Sequence, residues 1–307
     1  METVSSRWKF RRIDINWEFV REVGFWRLLP RFLRHQFNKR ILGSGTGVVL
    51  PTGLIYHVPR WDPSGSEVIY TGANLDWGSE ALLARLVDRG GTFIDVGAHT
   101  GYYALYMAPL VARVFAFEPD ATAFAALTAN LAQAPNAQAA RAAVSSVSGT
   151  AELTVDEGGF SQIASLHGAE TAQPNASVKV VTIDSWMAAH PGPPVTCIKI
   201  DVDGHDLEVL KGATGVIARD RAIVLTEFLV GADSSNDHAA LAEIVMRLGY
   251  HMFAYCVGKS RKKTFQRIGF EALKSPTFKM LFLVPTEKLD NVRAFVSENG
   301  PAGAGGG

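Results

Sequence analysis

The 307 residues leave room for one large α/β domain with an extension or for two modest domains, and 47% hydrophobic residues can fill a sizeable core. Thirty basic residues balance thirty acidic ones, which argues against a polyanion-coating role such as bulk nucleic-acid binding. Cys197 and Cys256 are too few for a disulfide framework or a cysteine-rich zinc site and fit a reducing compartment.

The first residues, METVSSRWKFRRIDINWEF, lack an apolar signal-peptide core, and no run of about 18 uncharged apolar residues occurs. A soluble, cytoplasmic protein without a transmembrane segment is expected. Between residues 15 and 42, Trp17, Val20, Phe25, Leu28, Leu29, Phe32, Leu33 and Phe37 fall at helical spacings, and Pro30 interrupts them. This predicts two short amphipathic helices. Residues 1–42 hold ten bases and four acids, a balance of plus six that the remainder must offset. Such a segment can lie on an anionic membrane surface, but the favoured reading is packing of its apolar face on the main domain or on a second subunit of a homo-oligomer. Residues 48–75, with VVLPTGLIYHV and SEVIYTG, predict a lead-in of antiparallel hairpins that completes an extension over 1–78.

From residue 79 to 285 helical and strand patterns alternate: SEALLARLVDRGG, TFIDV, YYALYMAPL, RVFAFEP, ATAFAALTANLAQ, CIKIDV, DLEVLKGA, AIVLTEF, HAALAEIVMRLG. Apolar strand runs separated by helices indicate an α/β, doubly wound, mainly parallel sheet covered on both faces. Residues 286–307 form a C-terminal segment whose NGPAGAGGG tail has no side chains to offset ordering entropy.

In an open α/β sheet ligands sit beyond the carboxyl ends of the strands. The first such turn is Asp95-Val96-Gly97-Ala98-His99-Thr100-Gly101, where glycines at 97 and 101 permit a sharp bend and close approach to backbone. A dinucleotide fingerprint is G-x-G-x-x-G; here the glycines stand four apart after an acid, so a pyrophosphate would be poorly served. The D-x-G-x-x-x-G pattern resembles motif I of class I methyltransferases, whose ligand, S-adenosyl-L-methionine, is cationic at sulfur and carries no phosphate. Seventeen residues after Gly101, Glu118 ends a strand and can accept both hydroxyls of a ribose. Ala142, Ala143 and Val144, past the third strand, can wall an adenine.

The segment Ile198-Lys199-Ile200-Asp201-Val202-Asp203-Gly204-His205-Asp206-Leu207-Glu208-Val209-Leu210-Lys211-Gly212-Ala213 joins a fourth strand, an acidic turn and a helix. With DVGAHTGYYALY, FAFEPD and LTEF, it resembles the FkbM family of methyltransferases, whose hallmark is K-x-D-x-E-G-x-E-x-x-x-L-x-G. The sequence departs by placing Asp203 and Asp206 where the family more often has Glu, and His99 where Asn is usual. The resemblance covers roughly residues 79–285 and implies a seven-stranded class I methyltransferase fold acting on hydroxyls of sugars, glycolipids or polyketide rings. Cofactor contacts are then expected from Asp95, Gly97, His99, Gly101, Glu118 and Ala143.

Asp201, at a strand end, is the first candidate for catalysis, with Asp203 and His205 as neighbours able to orient or deprotonate an acceptor hydroxyl. Glu227, ending LTEF, would adjoin Asp201, and the two acids could hold a divalent ion; the metal-free route is preferred. The acceptor pocket is expected from Trp61, Trp77, Phe160 and the run Lys259 to Lys263. A nicotinamide-dependent oxidoreductase or epimerase is disfavoured by the glycine spacing, and a non-catalytic binding module by the intact loop. Nucleic-acid methylation is disfavoured because no N/D-P-P-Y segment follows the fourth strand.

Overall fold

The computed structural model describes residues 20, 23–155, 161–163, 176–202, 204–227, 234–257, 263–274 and 277–296. Asp203, Phe160, Lys259 to Arg261, Lys262, the start of the predicted first helix and the glycine-rich tail lie outside them.

The N-terminal layer begins with α1 (Phe25–Phe37), which runs on through a π-type turn at Asn38–Leu42. Pro30 does not break it, against the expectation of two helices parted there. It sits on an exposed position, where water can take the carbonyl that its missing N–H leaves free. Strands β1 (Thr46–Val49) and β2 (Ile55–Val58) form the expected antiparallel hairpin. The next segment, SEVIYT, is a helix instead of a strand: α2 (Pro63–Thr71) starts at Asp62, whose carboxylate accepts from Gly65 N–H, with Pro63 in the first turn. Capping and burial of Val68 and Ile69 override their β-branched preference. Helix α3 (Ser79–Leu86) follows.

The remaining elements in chain order are β3 (Thr92–Val96), α4 (Tyr102–Met107), β4 (Arg113–Phe117), α5 (Ala121–Leu131), β5 (Ala137–Ala140), β6 (Ala143–Val144), β7 (Gly149–Val155), β8 (Ser161–Ile163), β9 (Ala176–Val181), α6 (Ile183–Ala189) and β10 (Val195–Ile200). Then come α7 (Asp206–Lys211), α8 (Thr214–Asp220), β11 (Ile223–Thr226), α9 (Ser234–Leu248), β12 (Tyr250–Val257), β13 (Lys263–Ile268), β14 (Leu281–Pro285) and α10 (Leu289–Arg293).

The main sheet has the order β13-β12-β14-β11-β10-β3-β4-β5, with β5, β4, β3, β10 and β11 parallel and β14 inserted antiparallel. Seven of its strands make the doubly wound, class I methyltransferase arrangement. The eighth, β13, hairpins onto β12 at the edge. The strand-like TAELTVD and SVKVVTID form a second sheet, β6-β9-β7-β8.

Alternation along the central strands assigns each side chain to a face. Phe93, Cys197 and Leu225 enter one core, while Ile94, Ile198 and Val224 enter the other. By the same period, Asp95 shares the face of Phe93, and Lys199 that of Cys197. That face is covered by α3, α4 and the β1–β2 hairpin, so the N-terminal layer closes over the charged strand ends. Among the described residues no helix is long and apolar enough to cross a membrane.

Candidate functional site

The turn after β3 is built from backbone. Gly97 and Ala98 donate to Phe117 O at 3.1 and 2.9 Å, and Gly101 N–H donates to Ala98 O at 2.8 Å. Gly97 has φ +71°, and a Cβ there would overlap the Asp201 carbonyl; Gly101 has φ +95°, with Leu127 Cδ1 2.8 Å from where its Cβ would be. His99 adopts φ +50°, a conformation in which Asn is favoured and His is tolerated. Its backbone N–H donates to Glu118 Oε2 at 2.8 Å, and Asp120 N–H donates to Oε1 at 2.9 Å. Each Glu118 oxygen therefore keeps a lone pair for a ligand hydroxyl. Burial pushes its carboxyl up from the usual range. Thr100 Oγ1 donates to Asp62 Oδ2 at 3.0 Å, which ties the loop to the cap of α2.

These groups open on a cavity of about 410 Å³. Its walls include Ala142, Ala143 and Val144 on one side, Asp201 and Glu227 on the strand ends, Trp61 from the covering layer and Lys279 from the segment leading into β14.

The cavity floor is an ionic cluster. The β3–β10 register sets Lys199 beside Asp95. Buried Lys199 Nζ lies 3.1 Å from Asp201 Oδ2 and 3.6 Å from Asp95 Oδ1, and donates to Gly97 O at 3.1 Å. Burial alone would lower the ammonium pKa, but Asp201 and Asp95 outweigh it and raise it. Asp95 accepts from Ala104 N–H at 2.8 Å through Oδ2, while its buried Oδ1 has no hydrogen-bond partner. For Asp201 burial pushes upward, yet the Lys199 charge and hydrogen bonds from Glu227 and Lys199 hold it below the usual carboxylate range. Glu227 is pushed up to about 9 by burial, by its hydrogen bond to Asp201 and by the Asp201 charge. At neutral pH the pair is one carboxylate and one carboxylic acid.

The family model "Methyltransferase FkbM domain" matches residues 95–252, over half the chain. The chain belongs to the FkbM methyltransferase family. A hexuronic acid methyltransferase, AglP, of Haloferax volcanii is 32% identical over 165 residues, which are 53% of this chain and 66% of that protein. The chain thus spans just under two thirds of that relative's length. Among solved structures, the methyltransferase FkbM of Methylobacillus flagellatus aligns with a TM-score of 0.43 at 14% identity, over 72% of this chain and 55% of that one. The precorrin-6y C5,15-methyltransferase of Geobacter metallireducens aligns with a TM-score of 0.36 at 14% identity, over 66% of this chain and 84% of that one.

Within the FkbM domain, Asp95, Gly97, His99, Glu118 and Ala143 line the cavity, as does Asp201, whereas Gly101 does not: it closes the turn against Leu127. His205 does not. Its Nε2 pairs with Ser145 Oγ at 2.9 Å at the start of α7, and burial lowers its pKa. Asp206 turns into the protein, where its Oδ1 accepts from Thr226 at 2.7 Å and burial pushes its carboxyl up to about 6. Trp61 packs edge-on to His99 with ring centroids 6.0 Å apart, whereas Trp77 faces the ammonium groups of Lys263 and Lys279 at 4.8 and 5.6 Å.

Beside the cluster lie two acids, Asp76 and Glu80, that the sequence reading missed. Tyr103 donates to Asp76 Oδ2 at 2.7 Å, and Tyr102 donates to Glu80 Oε1 at 2.9 Å. No local signal links the acids at 76 and 80 to the tyrosines at 102 and 103, more than twenty residues on. Glu80 is fully buried, and burial together with the Asp76 charge pushes it up to about 7. A raised carboxyl pKa favours the fold below the unfolded value near 4.5, and this advantage is lost as pH rises through the folded value. Glu80→Gln, which mimics the neutral acid, should therefore match the parent at pH 4.5 and exceed it by as much as about 3 kcal/mol above pH 8, in urea unfolding at the two pH values. Equal stabilities at the higher pH would show that Glu80 is comfortably ionised.

Proposed function

We propose that this FkbM methyltransferase moves the methyl of S-adenosyl-L-methionine onto a hydroxyl oxygen of a sugar or sugar-like acceptor. The observation that carries the reading is Asp201, an ionised carboxylate at a strand end, facing the cavity directly beside the glycine turn. The AglP likeness supports a sugar as the acceptor class.

The cavity suits the cofactor. Gly97, Ala98 and His99 line the cavity along the turn, Asp95 lies at its floor beside Lys199, and Glu118 retains acceptor capacity at both oxygens. Asp95, Gly97, His99 and Glu118 would hold the methionine and ribose parts, and Ala142 to Val144 the adenine. When bound, the sulfonium supplies an electrophilic methyl. The chain's own work is positioning and proton handling. As the hydroxyl oxygen takes the methyl, its proton passes to Asp201, which Lys199 and protonated Glu227 hold in place. A carboxylate acceptor would need no such base.

Two measurements test this. Glu118→Ala should weaken S-adenosylhomocysteine binding in calorimetry by about 1.5–3 kcal/mol, the size of hydrogen bonds to a charged group; an unchanged affinity removes Glu118 from the site. Incubation with methyl-labelled cofactor and a panel of hexosides and hexuronosides should yield an alkali-stable methyl ether. Label released by mild alkali would mean a methyl ester, and the hydroxyl assignment would fall.

A further inference from the structure

Helix α1 meets the protein with one side only. Leu28 and His35 are buried, Phe32 packs at 5.7 Å on the Tyr70 ring, His35 Nε2 pairs with Ser66 Oγ at 3.1 Å, and Arg31 donates to Tyr70 O at 3.2 Å. The anchored side thus carries the contacts with α2. On the opposite side, Trp26, Pro30, Leu33 and Phe37 recur at i, i+4, i+7 and i+11, one continuous stripe. Trp26 is 82%, Leu33 56% and Phe37 52% exposed, and beyond the helix Ile41 and Leu42 are 70% and 60% exposed. Apolar groups of this size, gathered on one outward face, mark a surface meant to be covered.

Charge selects what covers it. From residue 25 to residue 42 the chain has five cations, Arg27, Arg31, Arg34, Lys39 and Arg40, and no acidic residue. A second copy docking through the same stripe would bring these cations against their equivalents with no acid between them, which opposes pairing. An aromatic and aliphatic stripe bordered by arginines is the pattern of a helix lying in the plane of an anionic lipid surface: Trp, Leu and Phe enter the acyl boundary and Arg27 and Arg34 stay at headgroup level. We infer that the outward face of Phe25–Leu42 docks the protein on anionic membrane.

This goes beyond the methyl-transfer reading and stands independently of it. The contacts that anchor the helix are with α2, within the extension over 1–78, and not with the main domain or a second subunit as the sequence suggested; the lipid takes the other face. The cations strengthen attachment through the negative surface potential, so salt should weaken it.

The test uses the full chain and vesicles of phosphatidylcholine alone or with one third phosphatidylglycerol, in flotation. The protein should float with the anionic vesicles at low salt and at least tenfold less with neutral vesicles or in 0.5 M NaCl. Trp26→Ser/Leu33→Ser/Phe37→Ser, at positions exposed in the fold, should reduce flotation at least tenfold while circular dichroism and S-adenosylhomocysteine affinity stay unchanged. In a second variant, Arg27→Gln/Arg34→Gln, the salt dependence should shrink. Absence of flotation with anionic vesicles overturns the inference. So does light scattering that finds a dimer of the full chain converted to monomer by the triple-serine variant, since the stripe would then belong to a second copy.

Discussion

Asp201→Asn should lower single-turnover methyl transfer by about 10²- to 10⁴-fold, the usual worth of a positioned general base, while S-adenosylhomocysteine affinity stays close to that of the parent. The separation of the two readouts follows from where the residue sits. Asp201 holds the β3 turn through backbone, its N–H donating to Val96 O at 3.1 Å, and this contact survives the substitution. What disappears is the proton acceptor. Because Lys199 and Glu227 keep the parent carboxylate ionised well below neutral pH, turnover should be insensitive to this group between about pH 6 and 8. On the alkaline side Glu227 loses its proton near pH 9, and the cavity then holds two negative charges where one proton had bridged the pair. A change in the parent's turnover is expected there, and Glu227→Gln, which keeps a neutral donor beside Asp201, should remove it. Near-normal transfer by Asp201→Asn would leave this strand end a structural role only.

The residues proposed to meet the cofactor could be picked out in the sequence because strand-end chemistry is local. Asp95, Gly97, Gly101 and Glu118 follow apolar runs at fixed offsets, and a parallel sheet gathers such ends at one edge without further information. Lys199 and Asp201 could be noticed as too many charges for a buried strand, and the β3–β10 register explains them by setting Asp95 alongside. His205 shows the limit of that reasoning. Five positions past the strand, His205 stands at the cap of α7, and the imidazole points to Ser145. The acids at 76 and 80 lay in a segment whose function depends on long-range packing: nothing local says that Tyr102 and Tyr103, over twenty residues on, will donate to them. SEVIYT misled in the same way, since its β-branched pair suggested a strand while Asp62 and Pro63 had already fixed a helix start. Pro30 suggested a break, but a proline on the water-facing side of a helix removes a hydrogen bond that solvent can replace.

Lys199→Met should cost about 3–5 kcal/mol of stability at pH 8, the range for removing one partner of a buried ion pair. The side chain is almost wholly buried and is the cation nearest both Asp95 and Asp201. Asp201 is partly exposed, and water can compensate it when the ammonium is gone. Asp95 cannot be compensated in this way, being fully buried and left, among the described residues, with Ala104 N–H as its one donor. Burial already raises the Asp95 carboxyl in the presence of Lys199, and without the cation it must rise further. The sign of the pH dependence follows. A carboxyl whose folded pKa lies above its unfolded value stabilises the fold at low pH, and the fold loses that advantage as pH climbs through the folded pKa. The penalty of Lys199→Met should accordingly be smaller at pH 4.5 than at pH 8 in urea denaturation. Lys199 itself contributes no slope in this window, because its own raised pKa stays far above it. Adding Asp95→Asn to Lys199→Met removes the stranded charge and should restore part of the stability at pH 8, a coupling visible in the double-mutant cycle. A loss below about 1 kcal/mol, or one that is the same at both pH values, would contradict the account: it would mean that Asp95 is neutral in the parent, and that the cluster beneath the cavity is held by hydrogen bonds and not by charge.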